Sequence, residues 1–302
     1  MSASFTAGAE LFQEWNGLVT SGEQPTLFQV GAEGHPLNAV EIGPGQVVLV
    51  GAPPAAGKTA LVMQMVFDAV HLTPTLKALV CNVEMSPGAL LDRQLSRLAG
   101  IPLRAVRHRE VGGKFAKPFA SGLNELKERA ERVAFLRHPF DLANIARSAD
   151  EFGADLILLD YVQRIGPPKE YADKRQSLNA VMDTVRAMAD AGCAVLVVSA
   201  VGRQRDGNGK SGYDGLTLAS FRESSELEYG ADSAYLLVRE PDSNDAVLKC
   251  VKNRHGEPAD IPLAFDGAYQ RFEPSVGRTG KVSAAVKDLW KGGNDVDEGG
   301  GW

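Results

Sequence analysis

Residues 47–59 read Val47-Val48-Leu49-Val50-Gly51-Ala52-Pro53-Pro54-Ala55-Ala56-Gly57-Lys58-Thr59. Four apolar residues run straight into a turn rich in Gly, Ala and Pro, and Lys58 then opens a helical pattern over 58–70. A small residue, four intervening positions and Gly-Lys-Thr is the spacing of a phosphate-binding loop, with Ala52 first and Gly51 just before it. The chemistry accounts for the spacing. Backbone N–H groups of the loop and of the helix start converge on one cavity and bind phosphate oxygens. Lys58 adds a point charge at the β and γ phosphates of a nucleoside triphosphate, and the Thr59 hydroxyl can sit on Mg2+. The expected nucleotide-contacting residues are Ala52, Pro53, Pro54, Ala55, Ala56, Gly57, Lys58, Thr59 and Ala60. Gly-Lys-Thr also arises by chance, so the strand–loop–helix context has to separate this instance from accident.

The flanking sequence supplies that context. Short apolar runs at 47–50, 78–83, 156–159 and 194–198 alternate with helical patterns at 58–70, 87–98, 123–136, 142–152 and 177–191. This alternation specifies an α/β fold, a mainly parallel sheet flanked by helices. Four further apolar runs, at 235–238, 247–251, 261–265 and 269–272, are closely spaced and predict antiparallel strands added at the C-terminal side. Ligands of open α/β sheets bind beyond the carboxyl ends of the strands. Glu84 ends the second run, Asp160 the third and Ser199 the fourth. Asp160, after Leu156-Ile157-Leu158-Leu159, suits Mg2+ coordination together with Thr59. Glu84 is the candidate general base for an attacking water. The plainer alternatives are a turn or cap residue for Asp160 and a solvated carboxylate for Glu84.

With 302 residues the chain holds one large domain or two small ones. Its 44% hydrophobic and 23% charged residues exclude a disordered or collagenous chain. A net charge of −6 argues against coating nucleic acid with a basic surface, and leaves contacts through a few local cations open. Cys81, Cys193 and Cys250 each lie in or beside an apolar run, the pattern of reduced structural thiols. Residues 1–8 carry no signal-peptide pattern and no apolar stretch has membrane length, so a cytoplasmic location without a membrane partner is expected.

Ahead of the phosphate loop, Leu11, Phe12, Trp15, Leu18 and Val19 share one face of a helix expected over 5–19 and stopped by Gly22 and Pro25. That face must pack on its own domain or on a neighbouring subunit. Two stretches, 166–174 and 203–215, follow core strands and are expected to be mobile and functional. The Gly-rich acidic residues 292–302 are expected to be disordered. The expected organisation is a helix and connecting segment over 1–38, one ATPase domain over 39–275 and a flexible tail over 276–302.

Several segments, in order, resemble the RecA-type motor domain of the DnaB family of replicative helicases. They are the loop at 51–59, Val83-Glu84-Met85-Ser86, Leu158-Leu159-Asp160-Tyr161-Val162-Gln163, and Phe221-Arg222-Glu223-Ser224 with Leu227-Glu228 and Ala231-Asp232. Val251-Lys252-Asn253-Arg254-His255-Gly256 and the last strands through Phe272 complete the set. The resemblance implies a RecA-like P-loop ATPase core that uses ATP and Mg2+. It implies a ring of subunits, six in this family, around single-stranded DNA, with a helicase loader or other replication proteins as partners. It makes Lys252 and Arg254 catalytic groups that reach the γ-phosphate of the adjacent subunit, as an arginine finger does. They alternate along one strand and so share a face, which exposed strand residues would also do. It makes Arg222, Glu223, Ser224 and Ser225 a DNA-binding loop in the pore. Six copies of such a loop on one axis let an acidic protein hold DNA.

Three departures from the family stand out. Ala200 occupies the position of a phosphate-sensing Gln, and alanine has no side-chain donor. Ser225 replaces a glycine, which restricts the backbone. The family's N-terminal domain is expected to be missing ahead of the motor, so contacts made through it, such as with primase, are not expected to carry over. Two functions remain open: a DNA motor, and an ATP-controlled assembly switch in replication or recombination with little or no unwinding.

Overall fold

The computed structural model describes residues 5–167, 171, 173–201, 204–205, 211–212, 221, 225–239 and 243–275. In chain order the elements are α1 (Gly8–Ser21), β1 (Val47–Ala52), α2 (Lys58–Leu72), β2 (Ala78–Asn82), α3 (Pro87–Ala99), α4 (Leu103–Arg107) and α5 (Ala116–Ala130). Then come β3 (Val133–Phe135), α6 (Leu142–Phe152), β4 (Leu156–Asp160), α7 (Lys174–Asp190), β5 (Ala194–Ala200) and the small ribbon β6 (Gln204–Arg205) with β7 (Ser211–Gly212). The chain continues through α8 (Ser225–Gly230), β8 (Ser233–Arg239), β9 (Asp245–Asn253), β10 (Ile261–Asp266) and β11 (Arg271–Pro274).

Nine strands form one sheet in the order β11-β10-β9-β8-β1-β5-β4-β2-β3. The strands from β8 to β3 are parallel, and β9, β10 and β11 extend the sheet antiparallel. Both faces are covered, which is why the central strands are apolar along most of their length, up to polar residues at or near their carboxyl ends. Val48, Val50 and Ala52 of β1 pack into the cluster that holds α2 and α3, while Val47 and Leu49 pack on the other face against α6 and α7. β4 and β5 alternate in the same way.

The structure corrects the expected elements at several places. The helix expected over 123–136 ends at Ala130, and Val133–Phe135 forms the edge strand β3 beside β2. Apolar Val133 continues the helical spacing of Leu126 and Ala130, so periodicity alone merged the two. The run at 235–238 belongs to β8, which pairs parallel with β1 and is not an antiparallel addition. β2 stops at Asn82, two residues before Glu84, and β5 runs on to Ala200. The last strand starts at Arg271, because Tyr269 lies in the preceding turn. α4 is too short for a periodic signal.

The N-terminal helix is present and ends at Gly22 in a left-handed cap, with φ 72°. Its apolar face packs on nothing described: Leu11, Phe12, Trp15, Leu18 and Val19 are each between 51% and 57% exposed. Among the described residues no helix is long and apolar enough to cross a membrane. Residues 168–170 and 172 of the first stretch expected to be mobile, 203, 206–210 and 213–215 of the second, and all of 276–302 lie outside the described residues, and so do the expectations placed on them.

At the amino-terminal edge of the sheet Asp232 ties three elements together. Its carboxylate accepts from the Val47 amide at 2.8 Å, from Arg186 of α7 at 2.7 Å and from Arg254 at 3.1 Å. Burial alone would raise the Asp232 carboxyl, but the Val47 amide and the two guanidinium groups outweigh it and hold the group below the usual carboxylate range. A depressed folded pKa contributes stability that is complete above the unfolded value, about 3.9, and fades as pH falls through the folded value. Asp232→Asn is therefore expected to lower stability by about 1–3 kcal/mol at neutral pH. In denaturant melts the gap between wild type and variant should narrow as pH falls below the unfolded carboxylate value, about 3.9; a gap independent of pH contradicts this account.

Candidate nucleotide site

Register brings the functional strand ends to one level. Ala52 of β1 stands beside Ala200 of β5, Asp160 of β4 stands beside Val198 of β5, and Asn82 of β2 stands beside Asp160. A cavity of about 520 Å3 opens there, lined by Ala52, Pro53, Pro54, Ala55, Gly57, Lys58 and Thr59 from the loop. Glu84, Arg93, Tyr161, Phe265 and Gln270 complete much of its wall. Ala56 and Ala60 are buried beneath the loop and do not face the cavity.

The loop's backbone is set for an anion. Gly57 has φ 96°, and an added Cβ there would stand 3.1 Å from Phe272 and 3.2 Å from Phe265, so glycine is needed both for conformation and for space. Ala55 also takes a left-handed φ of 63°, which costs about 1–2 kcal/mol for a residue with a Cβ. No side chain caps the start of α2, so its first-turn amides point at the cavity without a protein partner. Lys58 Nζ lies 5.4 Å from the centre of the Tyr161 ring, held over one wall.

Asp160 organises the floor. One carboxylate oxygen accepts from the Thr59 hydroxyl at 2.7 Å and from the Asn82 amide at 2.7 Å. Burial pushes the carboxyl above its usual range, while the Thr59 bond and the Lys58 charge pull it part of the way back. Its other oxygen, Oδ1, is buried without a hydrogen-bond partner. An under-compensated carboxylate touching the loop threonine fits a small hard cation that takes one protein carboxylate and completes its shell with phosphate oxygens and water. Thr59 and Asp160 are the residues that would hold Mg2+.

Three polar residues of this site escaped the sequence reading. Asn82 gives its amide to Asp160 and accepts on Oδ1 from the backbone N–H groups of Glu84, at 3.1 Å, and Met85, at 2.7 Å. It therefore fixes the turn carrying Glu84 to the carboxylate that faces Thr59. An asparagine closing an apolar strand two residues before a glutamate was the available signal. Arg93, on α3, lines the cavity and makes no ion pair among the described residues. Burial and neighbouring Arg107 push its pKa down and Asp160 pulls it up, so the guanidinium feels the Asp160 carboxylate. Gln163, legible in sequence only as part of the Asp160 motif, donates to Ser199 Oγ at 2.8 Å and to the Ala200 carbonyl at 3.2 Å, and accepts from the Ala200 amide at 3.3 Å. Its contacts depend on folding β4 and β5 side by side.

The sequence model of the DnaB-like helicase C terminal domain family matches residues 39–274. The chain belongs to that family. It is similar to the replicative DNA helicase DnaB of Leifsonia xyli, at 25% identity over 76% of this chain and 52% of that protein. A probable plasmid replicative DNA helicase of Chlamydia trachomatis is 25% identical over 87% of this chain and 56% of its own length. The chain thus spans about half the length of these relatives. Among solved structures, an ATPase domain superposes with a TM-score of 0.76 at 17% identity, over 91% of this chain and all of that one. A DnaB-like replicative helicase, studied with its interactions with primase, gives 0.77 at 18% identity, over 89% of this chain and 69% of that one. These two likenesses bear out the RecA-like α/β fold.

In this DnaB-like chain Lys252 and Arg254 sit away from their own cavity. Lys252 pairs with Ala234, which pairs with Leu49, and the Arg254 amide bonds to the Asp232 carbonyl beside Val47. At about 3.3 Å per residue both lie roughly 10–17 Å below Ala52, and two strands across. They do share a face: Lys252 Nζ reaches the Ala231 carbonyl at 2.7 Å and the Tyr229 carbonyl at 3.5 Å, and Arg254 Nη2 donates to the Tyr229 carbonyl at 2.8 Å. The expected DNA-contacting residues Arg222, Glu223 and Ser224 lie outside the described residues, and Ser225 opens α8.

The Asn82 bridge yields a test. Asn82→Ala frees the Glu84 turn from Asp160 and should lower kcat by about 10–100-fold, the usual cost of losing such an orienting partner. Nucleotide affinity, carried by the loop amides, should change less than about threefold. Equal losses in kcat and affinity contradict the assigned role.

Proposed function

We propose that this chain is the ATP-hydrolysing motor of a ring-forming, DnaB-like replicative helicase that acts on single-stranded DNA in the cytoplasm. The hydrogen-bonded path from the Glu84 turn through Asn82 and Asp160 to Thr59, opening on the phosphate loop, carries this proposal. Loop amides and Lys58 hold the phosphates. Mg2+, between Thr59 and Asp160, would neutralise charge on the phosphoryl oxygens. Glu84 takes the proton of the attacking water. Arg93 adds a positive wall beside the reacting phosphate.

Each site is half of a composite one. Lys252 and Arg254 stand at the opposite end of the sheet from their own loop, the placement of groups offered to a neighbour. Six subunits in a ring would set these cations against the next γ-phosphate and would converge Arg222, Glu223, Ser224 and Ser225 on the DNA axis. The exposed face of α1 is a contact for the adjacent subunit, and a loader or other replication proteins are the expected partners.

A second function, the ATP-controlled assembly switch, is favoured by one observation. Ala200 has no side chain to read the phosphate, and its backbone is engaged by Gln163. The two are separated by turnover. A motor hydrolyses ATP faster when an oligothymidylate is added; a switch does not. The composite site is tested by mixing Arg254→Ala with Lys58→Ala subunits. Arg254→Ala alone should reduce turnover by about 10³-fold, as loss of a trans arginine does. The mixture should exceed the sum of the two, because some interfaces regain both groups. Turnover that never exceeds that sum contradicts the shared site.

A further inference from the structure

The phosphate loop begins against a ring that belongs to a distant part of the chain. Phe221 is 1% exposed, in the cluster formed with Leu49, Val201, Leu227 and Ala231. A Cβ added at Gly51 would stand 2.4 Å from Cε1 and 2.7 Å from Cζ of Phe221, and 2.8 Å from Cγ1 of Val201. Real Cβ atoms do not approach so closely. Gly51 has no left-handed φ, so the glycine is required here by close approach and not by conformation.

Three functional segments meet at this contact. Gly51 directly precedes Ala52, the first residue of the loop. Val201 directly follows Ala200, whose backbone Gln163 holds from the β4 side. Phe221 directly precedes Arg222, the first residue of the expected DNA-contacting segment. A close-packed interior has no slack for one of these to move alone, so a shift at the root of the loop displaces the ring. Polar sensing at position 200 is absent, because alanine offers no donor. Packing at Gly51 is a link that the described residues provide.

We infer that Phe221, wedged on the Gly51 backbone, is the positioning residue that couples the phosphate loop to the single-stranded DNA segment beginning at Arg222. This rests on the single-stranded DNA function proposed above. Coupling is reciprocal: if nucleotide state changes DNA affinity by some factor, DNA changes nucleotide affinity by the same factor.

The test uses the full chain and a labelled oligothymidylate. Its Kd is measured with a non-hydrolysable ATP analogue and with ADP, and the ratio of the two is the coupling. Phe221→Leu deletes Cε1 and Cζ, the atoms on Gly51, and keeps the apolar root that fills the core. The ratio is expected to fall to within about twofold of unity, with Tm and basal turnover near wild type. Phe221→Met, unbranched and long enough to reach Gly51, should recover most of the ratio; a folded Phe221→Met protein whose ratio stays near unity contradicts a role for contact at Gly51. A folded Phe221→Leu protein that keeps the full wild-type ratio overturns the inference alone. Wild-type protein that does not bind the oligothymidylate overturns the DNA function and this inference with it.

Discussion

A carboxylate buried at the end of a central strand must be compensated, and the site is built around that requirement. Asp160 is the last of the five buried positions of β4 and stands where burial disfavours its charge. Thr59, the last residue of the phosphate loop, and Asn82, the last residue of β2, each satisfy it with a 2.7 Å hydrogen bond. Compensation of one acid thus joins the loop, the metal-binding position and the Glu84 turn. The remaining oxygen, Oδ1, is buried without a hydrogen-bond partner, so the compensation by protein groups is incomplete, and a bound cation would supply the rest.

The parallel sheet makes the convergence possible. Its strands were legible because strands covered on both faces are apolar throughout, and their spacing with helices fixes the parallel arrangement. The phosphate loop, Glu84 and Asp160 were legible because each stands at or just beyond the end of such a strand. Asn82 was not, since its function is a contact with Asp160 across the β2–β4 register. Arg93 was hidden for a different reason: it lies two turns into an amphipathic helix, where an arginine reads as a solvated face. Gln163 requires β4 and β5 to be neighbours although α7 separates them in sequence. β3 was lost because three residues are too few to break a helical periodicity.

The chain also carries features that suit contact with a neighbouring copy. The cationic pair Lys252 and Arg254 rests on the carbonyls at 229 and 231, and Arg254 additionally on Asp232. A side chain parked on exchangeable partners can turn to a stronger anion at modest cost. The apolar stripe of α1, from Leu11 to Val19, faces away from everything described. Both suit the proposed assembly, in which neighbouring copies would complete one another.

Completion of each site by a second subunit is the central claim, and the dependence of specific turnover on protein concentration tests it most directly. With saturating ATP and Mg2+, turnover per subunit should fall steeply on dilution, in step with the loss of multimers in mass measurements of the same samples. Turnover per subunit that stays constant down to concentrations where only single chains remain would contradict it.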